Sequence, residues 1–246
     1  MRRIVVLGAT SGIAQALERL MAAAGLEMLL VGHSQERLDA VQADLLARGA
    51  GSASALRADL TNTSQHAGVL RYAAERFADF DTLVVAYGSM LDQAAFQVSS
   101  ELALQEVNTN FTSAVGLLTV FGEYFRGRGS GTIAVITSVA GDRGRRPNYV
   151  YGAAKGGLSV FLQGLRSRLY PFGVRVVTIK PGPVNTAMTA HMKKSRLFAE
   201  PAEVAADIYR ALERGRVDVI YTPWYWRWIM LTLRLIPERF FKKLSV

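Results

Sequence analysis

A phenol and an amine are spaced so that they could transfer a proton. Tyr151 and Lys155 are four residues apart in a stretch of helical periodicity, so both side chains would lie on one face of a helix. Tyrosine has an ordinary pKa of about 10 and is a poor acid-base group at neutral pH unless a nearby cation stabilises its phenolate. Lys155 could supply that cation. The same spacing is also typical of a solvent-exposed helix pair, so both interpretations stay open.

A hydroxyl upstream of this pair favours the catalytic interpretation. An apolar run at 132–137 ends at Ser138, thirteen residues before Tyr151. The carboxyl ends of the strands in an open α/β sheet are where ligands bind. If 132–137 is such a strand, the Ser138 hydroxyl would lie at the edge of the sheet where ligands bind. A serine at this position changes the balance between the two interpretations of Tyr151 and Lys155.

Alternating strand and helix patterns would position these groups. Apolar runs of strand length lie at 4–7, 28–31, 53–56, 82–85, 132–137, 174–179 and 217–221. Helical periodicity lies between them, at 13–24, 37–48, 65–77, 101–125, 151–170 and 201–214. Strands that are apolar throughout are typical of a parallel sheet covered on both faces. The sequence therefore predicts an α/β fold, a single-domain, Rossmann-like, doubly wound parallel sheet with helices on both faces.

Length and composition limit the alternatives. The chain has 246 residues, of which 50% are hydrophobic and 20% charged, enough for one large core. We expect residues 1–222 to form the domain and residues 223–246 to form a basic, aromatic C-terminal tail. With no cysteine and three histidines, thiol chemistry is excluded and no metal site is expected. The lack of cysteine fits a reducing cytoplasm, and no apolar stretch reaches the roughly 18 residues that span a bilayer, so we expect a cytoplasmic protein.

A glycine-containing turn joins the first strand to the first helix. Gly8, Thr10, Ser11, Gly12 and Ile13 follow the run at 4–7 directly. Glycine lets the backbone approach a pyrophosphate, and the amides at a helix N-terminus stabilise its charge. Two glycines are weak evidence by themselves, because a tight turn without a ligand would have the same pattern.

Together these motifs resemble those of the short-chain dehydrogenase/reductase family, over about residues 1–222. By that resemblance, Ser138 would bind the substrate oxygen and Tyr151 would donate or accept its proton. Lys155 would bind the nicotinamide ribose and lower the pKa of Tyr151. The family also places an asparagine near the lysine, and Asn110 fits its frame better than Asn108. Alternatively, either asparagine could lie inside a helix and bond to the neighbouring backbone.

The resemblance also implies a set of cofactor-binding residues. They are Gly8, Thr10, Ser11, Gly12 and Ile13 in the turn, Asp59 and Leu60 at the adenine, Ala86 and Gly88 after the fourth strand, Tyr151 and Lys155 at the ribose, and Pro181, Gly182, Val184 and Thr186 at the nicotinamide. A helix N-cap is the alternative role of Asp59. Residues 187–198 would form a lid that excludes water during hydride transfer.

The chain departs from the family pattern in two motifs. Leu7 and Ala14 replace the first threonine and the last glycine of the glycine motif. At 85–88 the sequence is Val-Ala-Tyr-Gly, where the family has Asn-Asn-Ala-Gly. The side-chain hydrogen bonds of those asparagines must be replaced or absent, so we expect a divergent subgroup. No proton-transfer residue is lost.

The end of the second strand bears on which nicotinamide cofactor binds. An acidic residue there would accept hydrogen bonds from the ribose hydroxyls of NAD and would repel a 2′-phosphate. The strand is instead followed by His33 and Ser34, with Arg37 close behind. These side chains could bind a phosphate, so we expect NADP(H) to be preferred, with NAD(H) as the alternative. An exposed loop residue is the other interpretation of His33.

The net charge of +9 is concentrated in two places. One lies between Ser138 and Tyr151, where Arg143 and Arg145 could bind an anionic substrate or lie in a solvated loop. The tail, 223–246, combines five cationic residues with all three tryptophans. It could lie on an anionic membrane surface, as interfacial helices do, or pack on its own domain or a neighbouring subunit. We do not expect nucleic-acid binding, because phosphate contacts need no solid apolar face.

These observations predict an NADP(H)-dependent oxidoreductase that interconverts a carbonyl and a secondary alcohol, with Tyr151 as the acid-base group. The glycine turn, the altered asparagine motif and the tail are similar to those of reductases of the decaprenylphosphoryl-2-keto-pentose type, which implies an anionic or lipid-linked keto sugar as substrate. Two alternatives stay open, a dinucleotide-binding regulatory protein without turnover and a membrane-surface interaction protein. Expected partners are a small carbonyl or alcohol substrate, other copies of the chain in a dimer or tetramer, and a membrane surface at the tail.

Overall fold

Within residues 1–244, which the computed structural model describes, seven parallel strands form a single sheet. The strands are β1 (Arg3–Leu7), β2 (Glu27–Gly32), β3 (Ser52–Arg57), β4 (Thr82–Val85), β5 (Gly131–Ile136), β6 (Val174–Pro181) and β7 (Val219–Thr222). Their order across the sheet is β3-β2-β1-β4-β5-β6-β7, and every neighbouring pair is parallel. The predicted doubly wound α/β fold is confirmed.

Helices cover both faces of this sheet. They are α1 (Gly12–Ala23), α2 (Gln35–Ala47), α3 (His66–Phe77), α4 (Gln93–Val98), α5 (Ser100–Val107), α6 (Ser113–Arg128), α7 (Tyr149–Leu169), α8 (Pro201–Arg214), α9 (Trp226–Leu235) and α10 (Glu238–Phe241). One face packs on α3, α6 and α7, and the other on α1, α2 and α8. Val5 and Leu7 of β1 belong to the first core, and Ile4 and Val6 belong to the second. Because both faces are covered, the central strands are mostly apolar, whereas the edge strand β3 contains Ser52, Ser54 and Arg57.

The strand order opens a crevice between β1 and β4. The chain runs from β1 outward to β2 and β3, then crosses back to β4 and continues to the opposite edge. Connections from the carboxyl ends of β1 and β4 therefore lead in opposite directions, and the space between them is where a doubly wound sheet binds ligands.

The helix predicted at 101–125 is interrupted in the structure. A π-helical turn, Asn108–Thr112, separates α5 from α6. Such a turn adds one residue to the helical repeat and rotates the side chains that follow, and π turns are frequent at functional sites. The short helix α4 was not predicted.

The C-terminal segment packs on the domain as far as the structure describes it. Trp226 and Met230 of α9 are buried together with Val139, and Phe241 of α10 is buried as well. Residues 245 and 246 of the predicted tail lie outside the described residues. No helix within residues 1–244 is long and apolar enough to cross a membrane.

Candidate active site

A cavity of about 820 Å³ opens at the carboxyl ends of the strands. Its wall contains the turn after β1 together with His33 after β2, Gly88 after β4, Ser138 after β5, Gly182 after β6, and Tyr151 and Lys155 from α7. Groups that are far apart in the chain therefore meet at one site, because parallel strands present all their carboxyl ends at the same edge of the sheet.

Backbone contacts hold the turn after β1. The amides of Gly8 and Ala9 both donate to the Val31 carbonyl, at 2.8 and 3.1 Å. Gly8 has a φ of +85°, and a Cβ there would lie 2.6 Å from the backbone nitrogen of Tyr87, so the position requires glycine. Ser11 is the N-cap of α1 and lies on the cavity wall. The amides of this helix N-terminus are therefore available to an anion.

The end of the cavity beside β2 is basic. His33 and Arg37 both lie on its wall. The Arg37 guanidinium donates to the Thr10 carbonyl at 2.9 Å, which holds it over the glycine turn. Asp59 and Leu60 line the same region. The structure thus brings together most of the residues predicted for the adenosine half of a dinucleotide.

Ser34 is an exception. Its hydroxyl caps α2 by accepting from the Arg37 amide at 3.4 Å, and Ser34 is not among the residues that line the cavity. Ser34 thus caps α2, and its contact with a cofactor stays a prediction.

Asp59 is held by its own local turn. Its carboxylate accepts from the hydroxyl of Thr61 at 2.7 Å and from the amide at 2.9 Å. These hydrogen bonds keep the pKa of Asp59 below its ordinary value. The helical turn that follows is capped by Asn62, so the alternative role of Asp59 as the cap of that turn does not hold.

Ser138, Tyr151 and Lys155 meet in the middle of the wall. The Lys155 Nζ lies 5.8 Å from the centre of the Tyr151 ring, and Ser138 and Tyr151 lie on the same part of the cavity wall. The chain after Ser138 lies directly on α7, since a Cβ on Gly141 would be 2.6 Å from the backbone nitrogen of Gly156. This close approach of two backbones brings the end of β5 to the phenol.

Burial changes the acid-base properties of the pair. Tyr151 is 8% exposed and Lys155 is 4% exposed. Burial raises the pKa of Tyr151 to about 12, although the neighbouring Ser138 hydroxyl opposes the rise in pKa. Burial lowers the pKa of Lys155 to about 8, against the attraction of the Glu106 carboxylate. Burial therefore favours the protonated form of Tyr151 at neutral pH.

Asn110 lies beside Lys155, and Asn108 does not. The Asn110 and Lys155 side chains both lie against Gly88. A Cβ on Gly88 would be 2.6 Å from the Asn110 Oδ1 and 3.1 Å from the Lys155 Nζ. The Nδ2 of Asn110 donates to Glu106 Oε1 at 2.9 Å. The Asn108 Nδ2 instead donates to the Thr61 carbonyl at 3.4 Å, and its Oδ1 accepts from the Thr112 hydroxyl at 2.6 Å. The π turn directs Asn110 inward, so it stands behind the lysine rather than on the cavity wall itself.

The altered motif after β4 makes its own contacts. Ala86, Tyr87 and Gly88 all line the cavity. The Tyr87 ring packs against the core under α6, and its hydroxyl is 3.1 Å from Ser113 Oγ. Burial raises the pKa of Tyr87 to about 12. A tyrosine hydrogen bond to α6 thus anchors a loop in which the two expected asparagine amides are missing.

The turn after β6 and the predicted lid form another part of the wall. Pro181, Gly182, Val184 and Thr186 line the cavity, and so do Ala187, Met188, Thr189 and Met192 from the predicted lid at 187–198. The Thr189 hydroxyl donates to the Val184 carbonyl at 2.5 Å. The first residues of the lid segment are therefore tied to the turn that precedes them.

The two arginines predicted for substrate binding separate in the structure. Arg145 lines the cavity, burial lowers its pKa, and its Nε is buried without a hydrogen-bond partner among the described residues. Arg143 instead donates to the carbonyls of Leu233 and Ile236, at 2.5 and 2.7 Å, and lies 3.7 Å above the Phe241 ring. The expected substrate role of Arg143 is therefore corrected: it binds the carbonyls that end α9.

Trp226 lines the cavity and was not predicted to do so. Its indole lies against Gly182, where any Cβ on residue 182 would overlap it. The sequence predicted an aromatic tail, but no local pattern indicates which of its tryptophans packs against the turn after β6.

Comparisons with known proteins agree with this arrangement. The family described as short chain dehydrogenase matches residues 2–197. An uncharacterised oxidoreductase of Mycobacterium tuberculosis strain H37Rv is 35% identical over 235 residues, covering 96% of this chain and 94% of that protein. One from Streptomyces coelicolor is 34% identical over 248 residues, covering 100% and 96%. A solved structure of an actinorhodin polyketide ketoreductase with NADPH has a TM-score of 0.80 at 24% identity, covering 92% and 97%.

Proposed function

The chain belongs to the short-chain dehydrogenase family and is an oxidoreductase, and from this we propose that it interconverts a carbonyl and a secondary alcohol with NADP(H) as cofactor. The observation that carries the proposal is the meeting of Ser138, Tyr151 and Lys155 on the wall of one cavity. A dinucleotide-binding protein without turnover would be expected to lack one of these three side chains or to point it away from the cavity. In this chain all three are present and line the cavity.

The residues around the cavity fit a dinucleotide. Gly8 has no side chain where its backbone passes close to Tyr87, and the N-terminus of α1 faces the cavity. His33 and Arg37 line the opposite end of the cavity. Glycine turns and helix N-termini suit a pyrophosphate. When bound, the nicotinamide would supply or accept the hydride.

The chain's own groups would handle the proton. In the reduction, the Ser138 hydroxyl would bind the substrate oxygen while Tyr151 gives that oxygen its phenolic proton. The charge of Lys155 would stabilise the phenolate that remains. A buried phenol with its pKa raised to about 12 is a weak acid, so the reaction depends on this nearby cation.

A preference for NADP(H) over NAD(H) is part of the proposal. The supporting observation is that the Arg37 guanidinium and His33 lie together at the end of the cavity, while the first carboxylate after β2 is Glu36. The Arg37 guanidinium could bind a 2′-phosphate there, and no acidic side chain at the end of β2 would repel it.

An anionic carbonyl compound is the substrate class that we propose. Arg145 contributes a partly buried guanidinium without a partner at its Nε. Met188, Met192 and Trp226 add apolar surface to the same wall. A keto sugar joined through phosphate to a lipid would combine the polar, anionic and apolar parts that these residues can contact.

The tail favours peripheral contact with an anionic membrane. Trp224 is 71% exposed, Trp228 57% and Leu235 73%, and cationic residues lie among them: Arg227, Arg234, Arg239, Lys242 and Lys243. Apolar side chains with interspersed cations suit a negatively charged bilayer surface. Family members are typically oligomeric, so a second copy is the alternative occupant. Two such cationic faces would repel each other, and we therefore propose lipid.

Substrate screening tests the main proposal. The purified protein is mixed with NADPH and a panel of ketones and keto sugars, with and without phosphate or lipid groups, and consumption of NADPH is followed. We expect turnover of at least one carbonyl compound, with the phosphorylated members preferred. Tight NADPH binding with no turnover across the panel would favour the regulatory alternative.

A further inference from the structure

A buried carboxylate lies behind the predicted catalytic lysine. Glu106, near the end of α5, is 1% exposed. Its Oε1 accepts from the Asn110 Nδ2 at 2.9 Å, and its Oε2 accepts from the Ser89 hydroxyl at 2.7 Å. The Asn110 Oδ1 in turn accepts from the Ser89 amide at 3.3 Å and borders Gly88 on the same side as Lys155. Glu106, Asn110 and Ser89 thus form a hydrogen-bonded group, and Asn110 places this group beside the Lys155 ammonium.

The Lys155 ammonium needs an opposite charge. It is almost fully buried, and within the described chain no carboxylate forms an ion pair with it at 4.0 Å or less. Burial without a counter-charge favours the neutral amine. The carboxylate of Glu106 raises the pKa of Lys155 against this effect, and Lys155 likewise opposes the rise that burial causes in the pKa of Glu106. Each group therefore stabilises the charged form of the other.

Other ionisable groups lie beside Lys155 or farther along the same cavity. They are Tyr151 on the same helix as Lys155, Tyr87 and Arg145 on the adjoining wall, and His33, Arg37 and Asp59 at the basic end. Asp59 is the one carboxylate on the cavity wall within residues 1–244, and one of its oxygens accepts hydrogen bonds from Thr61. Glu106 is thus the acidic group placed to act on the lysine.

We propose that Glu106 is a positioning residue that keeps Lys155 charged, fixing Asn110 and Ser89 by hydrogen bonds and supplying the negative charge that the buried ammonium requires. The inference rests on the proposed function, because the Lys155 charge is what makes Tyr151 an effective acid. Glu106 does not itself touch the cavity, so it acts through its neighbours.

The titration of Lys155 can be measured without any substrate. Competitive acetylation with acetic anhydride over a series of pH values, read by peptide mass spectrometry, reports the pKa of the Lys155 amine. We expect Glu106→Gln to lower that pKa by about 1 unit or more, the usual effect of losing an opposite charge at short range. Glu106→Asp keeps the charge and should restore most of the shift. An unchanged pKa of Lys155 in Glu106→Gln would overturn the proposal.

Glu18 provides a matched control. It is fully buried in α1 and not on the cavity wall, and burial raises its pKa well above its ordinary value. Glu18→Gln should therefore leave the pKa of Lys155 unchanged. If Glu106→Gln does not fold, carboxyl carbon NMR of the unaltered protein decides the matter. We expect Glu106 to be ionised at pH 7, and a protonated Glu106 at that pH would contradict its role as a counter-charge.

Activity separates this inference from the proposed function. Once a substrate is known, the alkaline limb of the pH profile of kcat/KM should move to lower pH in Glu106→Gln by about the shift measured for Lys155. A role limited to holding Asn110 would lower the rate equally at all pH values. Reductase activity together with an unmoved Lys155 titration would sustain the function and reject the role of Glu106. A shifted Lys155 pKa in Glu106→Gln without turnover of any carbonyl compound would support the role of Glu106 and reject the proposed function.

Discussion

The Trp226 indole lies directly on Gly182, so the first residue of α9 and the turn after β6 form one continuous piece of the cavity wall. Trp226 is also buried beside Val139 and Met230. A segment that the sequence marks only as basic and aromatic is therefore part of the site.

Gly182→Ala should displace the indole and weaken both folding and cofactor binding. Inserting a methyl group into a packed site typically costs about 1–3 kcal/mol of the free energy of unfolding. Thermal unfolding and tryptophan emission would report the change, since Trp226 is buried while Trp224 and Trp228 are exposed. Gly164→Ala is the control, because a Cβ there meets nothing within 4 Å. Unaltered emission and stability in Gly182→Ala would contradict the packing.

Tyr151→Phe should abolish most of the turnover while leaving NADPH affinity nearly unchanged. The phenol is the proposed proton donor, and loss of a positioned acid typically costs about 10²- to 10⁴-fold in rate. Steady-state kinetics and fluorescence titration with NADPH would measure the two effects. Tyr209→Phe on α8, outside the cavity wall, should behave like the unaltered protein. Full reduction by Tyr151→Phe would rule out the acid role.

Arg37→Gln should weaken NADPH binding by about tenfold or more and change NADH binding little. The reason is the loss of a charge-assisted hydrogen bond to the 2′-phosphate, worth about 1.5–3 kcal/mol. Calorimetric titration with each cofactor gives both affinities. Arg48→Gln serves as the control, because Arg48 is exposed at the end of α2 and pairs with Asp44. Tighter binding of NADH than of NADPH by the unaltered protein would refute the proposed preference.

Glu18→Met should stabilise the protein at pH 7. Both carboxylate oxygens of Glu18 are buried without a partner among the described residues, and burial raises the pKa well above its ordinary value. The folded protein thus binds a proton that the unfolded chain releases above about pH 4.3, so stability falls as the pH rises from there toward the folded-state pKa.

The gain from Glu18→Met should be about 1–3 kcal/mol, typical of an unsatisfied buried polar group, and should shrink as the pH falls to about 4. Urea unfolding at several pH values measures it. Glu75→Met, at an exposed position on α3, should show no such dependence on pH. A destabilised Glu18→Met would indicate that the carboxyl has a partner or a function.

The protein should sediment with vesicles that contain anionic lipid and not with neutral ones. Replacing the exposed Trp228 and Leu235 by serine should lower the bound fraction several-fold, because both lose apolar contact with the bilayer. Leu46→Ser, exposed on α2, is the matched control. The contrary result would be that the unaltered protein does not sediment with anionic vesicles and that the serine variants form smaller oligomers in analytical ultracentrifugation. In that case the surface is a subunit interface.

Local patterns in the sequence were sufficient for the sheet, and the central residues of the site were predicted from those patterns together with the family resemblance. The strands could be recognised because burial on both faces leaves continuous apolar runs, and helices separate them in a regular order. Ser138, Tyr151 and Lys155 could be recognised because their relation depends on one strand end and one helical turn. Their meeting in the cavity follows from the parallel arrangement together with the close approach of Gly141 to Gly156.

Contacts between distant segments were decided only by the tertiary structure. Arg143 and Arg145 are alike in sequence, yet one binds the end of α9 about ninety residues away and the other lines the cavity. The direction of a loop side chain is set by the elements packed around it, and no periodic pattern encodes that. The roles of Trp226 and Glu106 belong to the same class. Each depends on which face of one element packs against a partner far along the chain, and that choice is made by the packing of the whole core.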